Sequence, residues 1–324
     1  MVTPYVLRAE LSSPGIAEST CRVNGDPHDQ EFLPTLPTGY TSLFGEINDR
    51  QAEPTVNNLQ EQSPFFTSLP PEIRQLIYRH LFGDRRIHLD YDFVWSENRW
   101  VWWHRVCDDP ENCPDKELTC PETADGEMTM RLMGWTSRLK KDVEYRVQAM
   151  SWLQCCKLGY QESLPVLYGS NTFVLTQGID QLFRLSQATP QEHRSLFRSL
   201  SVEITVYRAC VSRPPAMSAG FAEYYRGLFN LLERDLPSLR TLSLSLTSMP
   251  GPSNPPVEWT DEDDDRWIGP WERLGKSRRW ATLEIRVPEN WFEVFEERGR
   301  QRGKQYRKAR YTLMKGLDPF QKGW

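Results

Sequence analysis

The stretch RTLSLSL at residues 240–246 is repeated with substitutions as RSLSVEI at residues 198–204 and as ATLEIRV at residues 281–287. In each copy aliphatic residues alternate with polar or small ones, a pattern typical of a β-strand. The copies begin at regular intervals of 42 and 41 residues, measured between Leu200, Leu242 and Leu283. We therefore predict three related strands in the C-terminal half of the chain.

Helical patterns precede these strands, over residues 178–185 and 223–232. Strands that are separated by helices favour right-handed crossover connections and a mainly parallel sheet. A strand-plus-helix unit at this long period is also typical of a short, irregular solenoid-like stack. The sequence therefore predicts an α/β fold with a repeat-derived, mainly parallel sheet, and an α+β fold is the alternative.

Towards the N-terminus, residues 68–83 have the pattern of an amphipathic helix of about three turns. Its prolines stand where a helix start tolerates them, and Gly83 supplies a stop. The apolar residues at helical spacing are Leu69, Ile73, Leu76, Ile77 and Leu81.

An aromatic β-hairpin is predicted next, from strict alternation over residues 86–95, a turn at 96–99 and a return strand over 100–106. Its tryptophans, Trp95, Trp100, Trp102 and Trp103, form either part of the core or a candidate surface for a protein partner. The elements predicted after it are a loop over 107–130, helices over 135–158 and 161–168, and a strand over 172–176.

The chain has 324 residues, with 39 Lys and Arg against 44 Asp and Glu, and a formal net charge of −5. Its 39% hydrophobic content excludes a wholly disordered protein, and its mild acidity disfavours nucleic-acid binding through overall charge. No apolar window is long enough for a membrane span, and Arg8 and Glu10 stand where a secretory signal needs an apolar run. Seven cysteines, an odd number, fit a reducing compartment, so we expect a cytoplasmic or nuclear protein without a membrane partner.

The domain organisation predicted from composition has two parts. Residues 1–62 are rich in proline and polar residues without apolar period, which predicts a disordered tail. Residues 63–324 form one composite folded region. Its predicted parts are helices at 63–83 and 135–170, a hairpin and loop insertion at 84–134, and a β/α repeat-like part with a basic C-terminal segment at 171–324.

Two segments resemble a known family. Leu69-Pro70-Pro71-Glu72-Ile73, with Ile77 and Leu81, resembles the opening helix of the F-box. The segment from Leu153 to Phe173 resembles the C-R-x-x-Y-x-E-A-x-P-x-L-Y-x-x-N-x-F segment of fungal F-box-like proteins of unknown function. Lys157 replaces the usual Arg of that segment and Ser163 the usual Ala. The resemblance extends over roughly residues 64–290 when the leucine strands are included.

The family has no established activity, so the resemblance implies a non-enzymatic interaction protein. One function that the resemblance implies for this chain is that of an F-box-type substrate receptor of a cullin ubiquitin ligase. Such a receptor would bind the Skp adaptor through its opening helix and an unknown client through another surface. The residues that would face the adaptor are Leu69, Pro70, Glu72, Ile73, Ile77 and Leu81. The alternative is a structural scaffold in which this helix is core and no ligase link exists.

Motifs for catalysis or metal binding are weak. His104, Cys107, Cys113 and Cys120 offer zinc ligands, but the paired C-x-x-C spacing is missing. A zinc-dependent or other enzyme would need polar groups that converge in a pocket. No G-x-S-x-G, H-E-x-x-H or G-x-G-x-x-G motif occurs. We predict no catalytic residue, no metal and no cofactor.

Two charged runs need separate interpretation. The acidic run at residues 261–265 has calcium-loop spacing with Glu272, but Arg266 stands where the loop needs glycine, so we predict a solvated acidic loop. The basic run from Arg298 to Arg310 follows several glutamates, which favours a charged, solvated helix over a phosphate-binding segment.

Overall fold

A computed structural model of the chain describes residues 63–94, 99–106, 147, 149–153, 157–175, 179–209, 219–250, 260–302 and 311–316. Two compact units can be distinguished. The hairpin unit includes Pro37–Val174 and Ala188–Ser199, and the repeat unit includes Leu175–Gln187 and Leu200–Trp324. The predicted tail, residues 1–62, lies outside the described residues.

The hairpin unit combines short helices with antiparallel strands. Strands β1 and β2 pair in a register from Ile87 opposite Val106 to Val94 opposite Arg99, which confirms the predicted hairpin, and the strand order in this unit is β2-β1-β3. The elements of this unit are α1 (Pro64–Ser68), α2 (Pro71–Phe82), β1 (Arg86–Val94), β2 (Arg99–Val106), α3 (Met150–Leu153), α4 (Lys157–Gly169), β3 (Thr172–Leu175) and α6 (Gln191–Arg194).

Helix α2 begins and ends where the local sequence predicts. Pro71 occupies the first turn, where a missing N–H costs nothing, and Glu72 lies at the positive end of the helix dipole. At the other end the N–H of Gly83 donates to the carbonyl of Arg79. A Cβ at Gly83 would lie 2.7 Å from the Ser170 hydroxyl and 2.9 Å from the Arg79 backbone, so this close approach requires glycine.

The repeat unit contains the predicted mainly parallel sheet. Strands β5, β6 and β7 are parallel neighbours, and the strand order in this unit is β4-β5-β6-β7. Leu242 pairs with Leu283, so the sequence repeat is also the register of β5 and β6. The elements of this unit are α5 (Ile179–Ala188), β4 (Ser199–Ala209), α7 (Ala219–Arg234), β5 (Thr241–Pro250), α8 (Asp261–Ser277), β6 (Thr282–Val287), α9 (Glu289–Gln301) and β7 (Thr312–Lys315). The predicted α/β class is therefore confirmed.

The acidic run at 261–265 is not a loop, and this prediction was wrong. It forms the first turn of α8, where Thr260 and Asp263 make a reciprocal capping box and carboxylates face the positive end of the helix dipole. Asp263 and Asp264 are buried. The helix continues through Pro270, and the residue before it, Gly269, carries no Cβ to clash with the proline ring.

The core of the repeat unit is aromatic. Helix α8 contributes Trp267 and Trp271, helix α9 contributes Trp291 and Phe295, and all four side chains are fully buried. The indole N–H of Trp271 donates to the Tyr225 hydroxyl of α7, which satisfies both polar groups inside the core. Burial of these rings packs both helices into the core of the repeat unit.

The described part of the basic run pairs largely with the acidic run. Arg298 lies 3.8 Å from the carboxylates of Asp261 and Asp264, and Arg302 contacts Asp265 at 2.8 Å and Glu272 at 3.3 Å. Arg300 instead pairs with glutamates of its own helix on an exposed face. The solvated-helix interpretation therefore fits Arg300, whereas α8 carboxylates partner the other two arginines. Residues 303–310 lie outside the described part of the chain.

None of the helices in the described ranges combines the length and the apolar character that crossing a membrane requires.

Candidate protein-docking surface

Helix α2 has two apolar or partly apolar faces, and only one of them is packed. Arg74, Tyr78 and Phe82 are buried. On the other face the exposed fractions are 43% for Ile73, 61% for Leu76 and 54% for Leu81. With the half-buried Ile77 these residues cover about 140° of the helix circumference at 3.6 residues per turn. We call Ile73, Leu76, Ile77 and Leu81 the α2 stripe.

The three exposed side chains of the α2 stripe stand out from the rest of the described chain. Within the part of the chain that the structure describes, these three are the large hydrophobic side chains that remain exposed to solvent. Isolated apolar residues on a surface need no explanation, but a contiguous row on one helix face is typical of an interaction site. The stripe is therefore the strongest candidate for a docking surface.

An ion pair anchors the packed face of α2 to α4. The Arg74 Nε donates to one carboxylate oxygen of Glu162 at 2.8 Å, and Nη2 donates to the other at 2.5 Å. The Tyr78 hydroxyl donates to the same carboxylate at 3.0 Å. Arg74 also donates to the carbonyl of Leu69 at 2.5 Å, which ties the chain before α2 to the helix. Two-point contact of this kind fixes the orientation of both helices.

The charge states at this anchor follow from the hydrogen bonds. Donation from Arg74 lowers the pKa of the Glu162 carboxyl, although burial of that group acts in the opposite direction. The same contacts raise the pKa of Arg74, with Glu162 as the main cause. Glu162 is therefore a carboxylate and Arg74 a guanidinium at neutral pH.

Asn171 joins the end of α2 to the end of α4. Its amide nitrogen donates to the carbonyls of Phe82 and Leu167 at 2.8 and 2.7 Å. Its amide oxygen accepts from the backbone N–H of Arg85 at 2.8 Å. Because the residue is fully buried and uses both ends of its amide, it satisfies the backbone groups that the two helix ends leave open.

An aromatic cluster packs against the buried face of α2. The ring of Trp152 lies 5.1 Å from Phe65 and 5.6 Å from Tyr78, centroid to centroid, and Tyr78 stacks on Phe82. Together with the ion pair, these contacts hold α2 rigidly, so its outer face is presented in one orientation.

A shallow groove of about 800 Å³ lies beside the α2 stripe. Leu76 and His80 of α2 line it together with Arg79, Arg85 and Arg86. Arg79 pairs with Asp84 at 2.6 Å, and both side chains of that pair are more than half exposed. We call this feature the basic groove.

The residues predicted to face an adaptor are divided by the structure. Ile73 and Leu81 are exposed, as are Pro70 and Glu72, whereas Leu69 and Ile77 are half-buried. The sequence prediction missed the two polar anchors, Arg74 and Glu162. Glu162 and Asn171 could have been found, because both occupy fixed positions of the second family segment.

The aromatic hairpin is described only in part. In the register of β1 and β2, Trp100 pairs with Phe93, Trp102 with Tyr91 and Trp103 with Asp90. Trp95 lies outside the described residues, as do Cys107, Cys113 and Cys120 of the weak zinc pattern. His104 lies on β2 opposite Leu89. Within the described ranges, no three His, Cys, Asp or Glu side chains lie close enough together to hold a metal ion.

A tyrosine–histidine pair links α4 to α6 in the same unit. The Tyr160 hydroxyl and His193 Nε2 lie 3.0 Å apart, and the His193 ring stacks on Tyr168. Burial lowers the pKa of His193, against the opposing effect of the nearby Glu192 carboxylate, and burial raises the pKa of Tyr160. The pair is a structural contact between the two helices that contains two titratable groups.

Comparison with known proteins identifies the family. Residues 58–265, which include α2, the hairpin and the second family segment, match the family described as Domain of unknown function (DUF7730). No match was found among curated proteins or among solved structures. Because the match covers more than half of the 324 residues, the chain belongs to this DUF7730 family.

Proposed function

We propose that this chain is a protein–protein interaction protein without catalysis of its own. In this proposal the α2 stripe docks the Skp adaptor of a cullin ubiquitin ligase, as an F-box-type substrate receptor would. The F-box likeness of residues 69–81 and the likeness of residues 153–173 to fungal F-box-like proteins support the choice of partner. The proposed compartment is the cytoplasm or the nucleus, where such a ligase acts and free thiols persist.

The observation that carries the proposal is the exposure of the α2 stripe on a helix whose packed face is fixed by the Arg74–Glu162 ion pair. Burying one leucine or isoleucine side chain is worth about 1.5–3 kcal/mol. Exposing Ile73, Leu76 and Leu81 together therefore leaves a substantial gain for a partner that covers them. Because Arg74 and Tyr78 hold the helix in place, little ordering entropy opposes that association.

A receptor of this kind acts by holding its client in place. It raises the effective concentration of a bound client near the transferring enzyme, so its own side chains need no chemistry. The aromatic hairpin, with Trp95, Trp100, Trp102 and Trp103, is the proposed client surface.

The test is titration of the purified full-length chain with the Skp adaptor by isothermal calorimetry. The decisive variant is Ile73→Asp with Leu76→Asp, because both side chains are exposed and their replacement leaves the packed face intact. The matched control is Gln161→Asp with Gln191→Asp, which adds the same two negative charges at exposed positions of α4 and α6. Circular dichroism and thermal unfolding establish that each variant is folded.

The expected result is binding by the wild type and the control, and a loss of roughly a hundredfold in the double variant, since both residues would lie at the centre of the interface. No binding by the wild type, or equal binding by the double variant, contradicts the proposal. The chain would then be the scaffold alternative, with an F-box-like helix that serves only the fold.

A further inference from the structure

The basic groove adjoins the α2 stripe through a shared residue. Leu76 belongs to the stripe and also lines the groove, and His80 and Arg79 follow it on the same helix. The groove carries three arginines, Arg79, Arg85 and Arg86, and the carboxylate of Asp84. A partner that covers Leu76 therefore meets a positively charged surface immediately beside an apolar one.

The floor of this groove is preformed. The backbone N–H of Asp84 donates to the Ser170 hydroxyl at 3.2 Å, and that hydroxyl donates to the Val166 carbonyl at 2.7 Å. The N–H of Thr172 donates to the Arg85 carbonyl at 2.9 Å. These bonds fix the turn after α2, so the arginines project from a rigid base and need little reordering on binding.

The arginines have capacity for an added anion. The Arg79–Asp84 pair is open to solvent on both sides, and exposed pairs of this kind contribute little to stability. A carboxylate from a partner can therefore join or replace Asp84 at low cost. Arg86 lines the same groove and is only partly buried, so a second carboxylate can reach its side chain.

We propose that the partner of the α2 stripe is an acidic protein segment, whose apolar side chains cover Ile73 and Leu76 while its carboxylates bind Arg79 and Arg86 in the basic groove. This inference rests on the proposed function, because it specifies the chemistry of the partner that docks there. Guanidinium groups bind carboxylates with two parallel hydrogen bonds, and the neighbouring apolar row supplies the rest of the affinity.

A protein segment fits this surface better than a polyphosphate or a nucleic acid does. A phosphate chain gains from the arginines but gains nothing from covering Ile73, Leu76 and Leu81. The charge of the groove and the exposed apolar side chains together therefore favour an acidic amphipathic segment. We expect that segment to bind as a helix, with its apolar face against α2.

The test uses two fluorescein-labelled helical peptides of about fifteen residues that carry leucines at i, i+3, i+4 and i+7. Glutamates flank the leucines in the first peptide, and glutamines replace every glutamate in the second. Binding to the full-length chain is measured by fluorescence anisotropy at low and high salt. The variants are Arg79→Gln with Arg86→Gln, and Arg198→Gln as the control, an exposed arginine of the same unit outside the groove.

The acidic peptide is expected to bind about tenfold more tightly than the neutral one at low salt, with the preference reduced at high salt. The double variant is expected to lose that preference, and the Arg198 control to keep it. Should the double variant fail to fold, Arg79→Gln alone replaces it, since that side chain is more than half exposed, and a preference reduced at least threefold is then expected.

Equal binding of the two peptides, or an unchanged preference in the groove variants, overturns the inference. Displacement of the acidic peptide by tripolyphosphate with equal strength would show a general anion site and also overturn it. So would self-association of the unliganded chain at micromolar concentration that the acidic peptide disrupts, since a dimer interface would then cover the surface.

The outcome is separable from that of the proposed function. If the acidic peptide binds as expected and the Skp adaptor does not, the ligase link fails while the acidic partner stands. If the adaptor binds the Arg79→Gln, Arg86→Gln variant as tightly as the wild type, the ligase link stands and the acidic groove fails.

Discussion

Arg74 and Glu162 are 88 residues apart in the sequence and form a two-contact ion pair between α2 and α4, with distances of 2.8 and 2.5 Å. The pair joins the two segments that carry the family likeness. Together with the ring contact between Trp152 and Tyr78, it holds the Arg74 face of α2 against the rest of the unit, and the exposed residues of the α2 stripe lie on the other face.

Replacement of Glu162 by Gln is expected to destabilise the hairpin unit. The change leaves the Arg74 guanidinium without its counter-charge in a poorly hydrated position, which is costlier than removing both partners. Thermal unfolding of the full-length chain should show a midpoint lowered by several degrees. The double variant Arg74→Met, Glu162→Met should recover part of the loss; equal or greater loss in the double variant would contradict this account.

Acid should remove the contribution of the same pair. The pKa of Glu162 is lowered in the folded chain, so the stability that the pair supplies is fully present above the ordinary carboxyl range and is lost as the pH falls through the lowered value. The difference in unfolding midpoint between the wild type and Glu162→Gln should therefore shrink below about pH 4. A difference that stays constant from pH 7 to pH 3 would show that the carboxylate charge is not involved.

Mild acidification should act through His193. Burial lowers its folded pKa, so the unfolded chain binds the proton more readily and stability falls as the pH drops below the ordinary histidine value of about 6.5. The groups around the ring are Tyr160, Tyr168 and the Glu192 carboxylate. Chemical denaturation at pH 7 and pH 5.5 should show a smaller loss for His193→Gln than for the wild type. An equal loss in both proteins would assign the pH dependence to other groups.

Arg278 should be needed for the end of α7. Its guanidinium donates to the carbonyls of Leu232 and Glu233 at 2.8 Å each and also to that of Leu236. The Leu232 and Glu233 carbonyls belong to the last turn of α7, where the helix itself leaves carbonyls without partners. The Leu236 carbonyl follows the helix and also accepts from the N–H of Leu239. Arg278→Met is expected to cost about 2 kcal/mol of unfolding free energy. The neighbouring exposed residue provides the control, and Arg279→Met should change stability by less than about 0.5 kcal/mol.

Gly83 should be intolerant of any side chain. An added methyl group would meet the Ser170 hydroxyl at 2.7 Å and the Arg79 backbone at 2.9 Å, and the backbone cannot yield easily. Gly83→Ala is expected to destabilise the chain by about 1–3 kcal/mol in urea unfolding. At Gly169 the nearest atom is 3.4 Å away, an ordinary contact, so Gly169→Ala should be close to neutral. Similar losses in both variants would contradict the steric explanation.

Short-range patterns account for much of the fold. The α2 helix, the hairpin and the leucine strands follow from periodicity and turn residues, and the Leu242–Leu283 pairing matches the repeat. Helix α8 was missed because its acidic first turn, Gly269 and Pro270 are typical of a loop. Only the capping box at Thr260 and the burial of Trp267 and Trp271 against neighbouring helices make that segment helical.

By itself, the sequence determined the α/β class, the three repeated strands and the position of a helix with an apolar face at residues 71–82, because these features depend on local spacing. Only the tertiary structure decided that the face with Arg74, Tyr78 and Phe82 is packed and that Ile73, Leu76 and Leu81 remain exposed. The physical reason is that helical periodicity reports where apolar side chains lie, whereas their burial depends on what the rest of the chain brings to the other side. Here Glu162 and Trp152 supply a charge partner and a ring for the opposite face, and no local pattern around α2 encodes them.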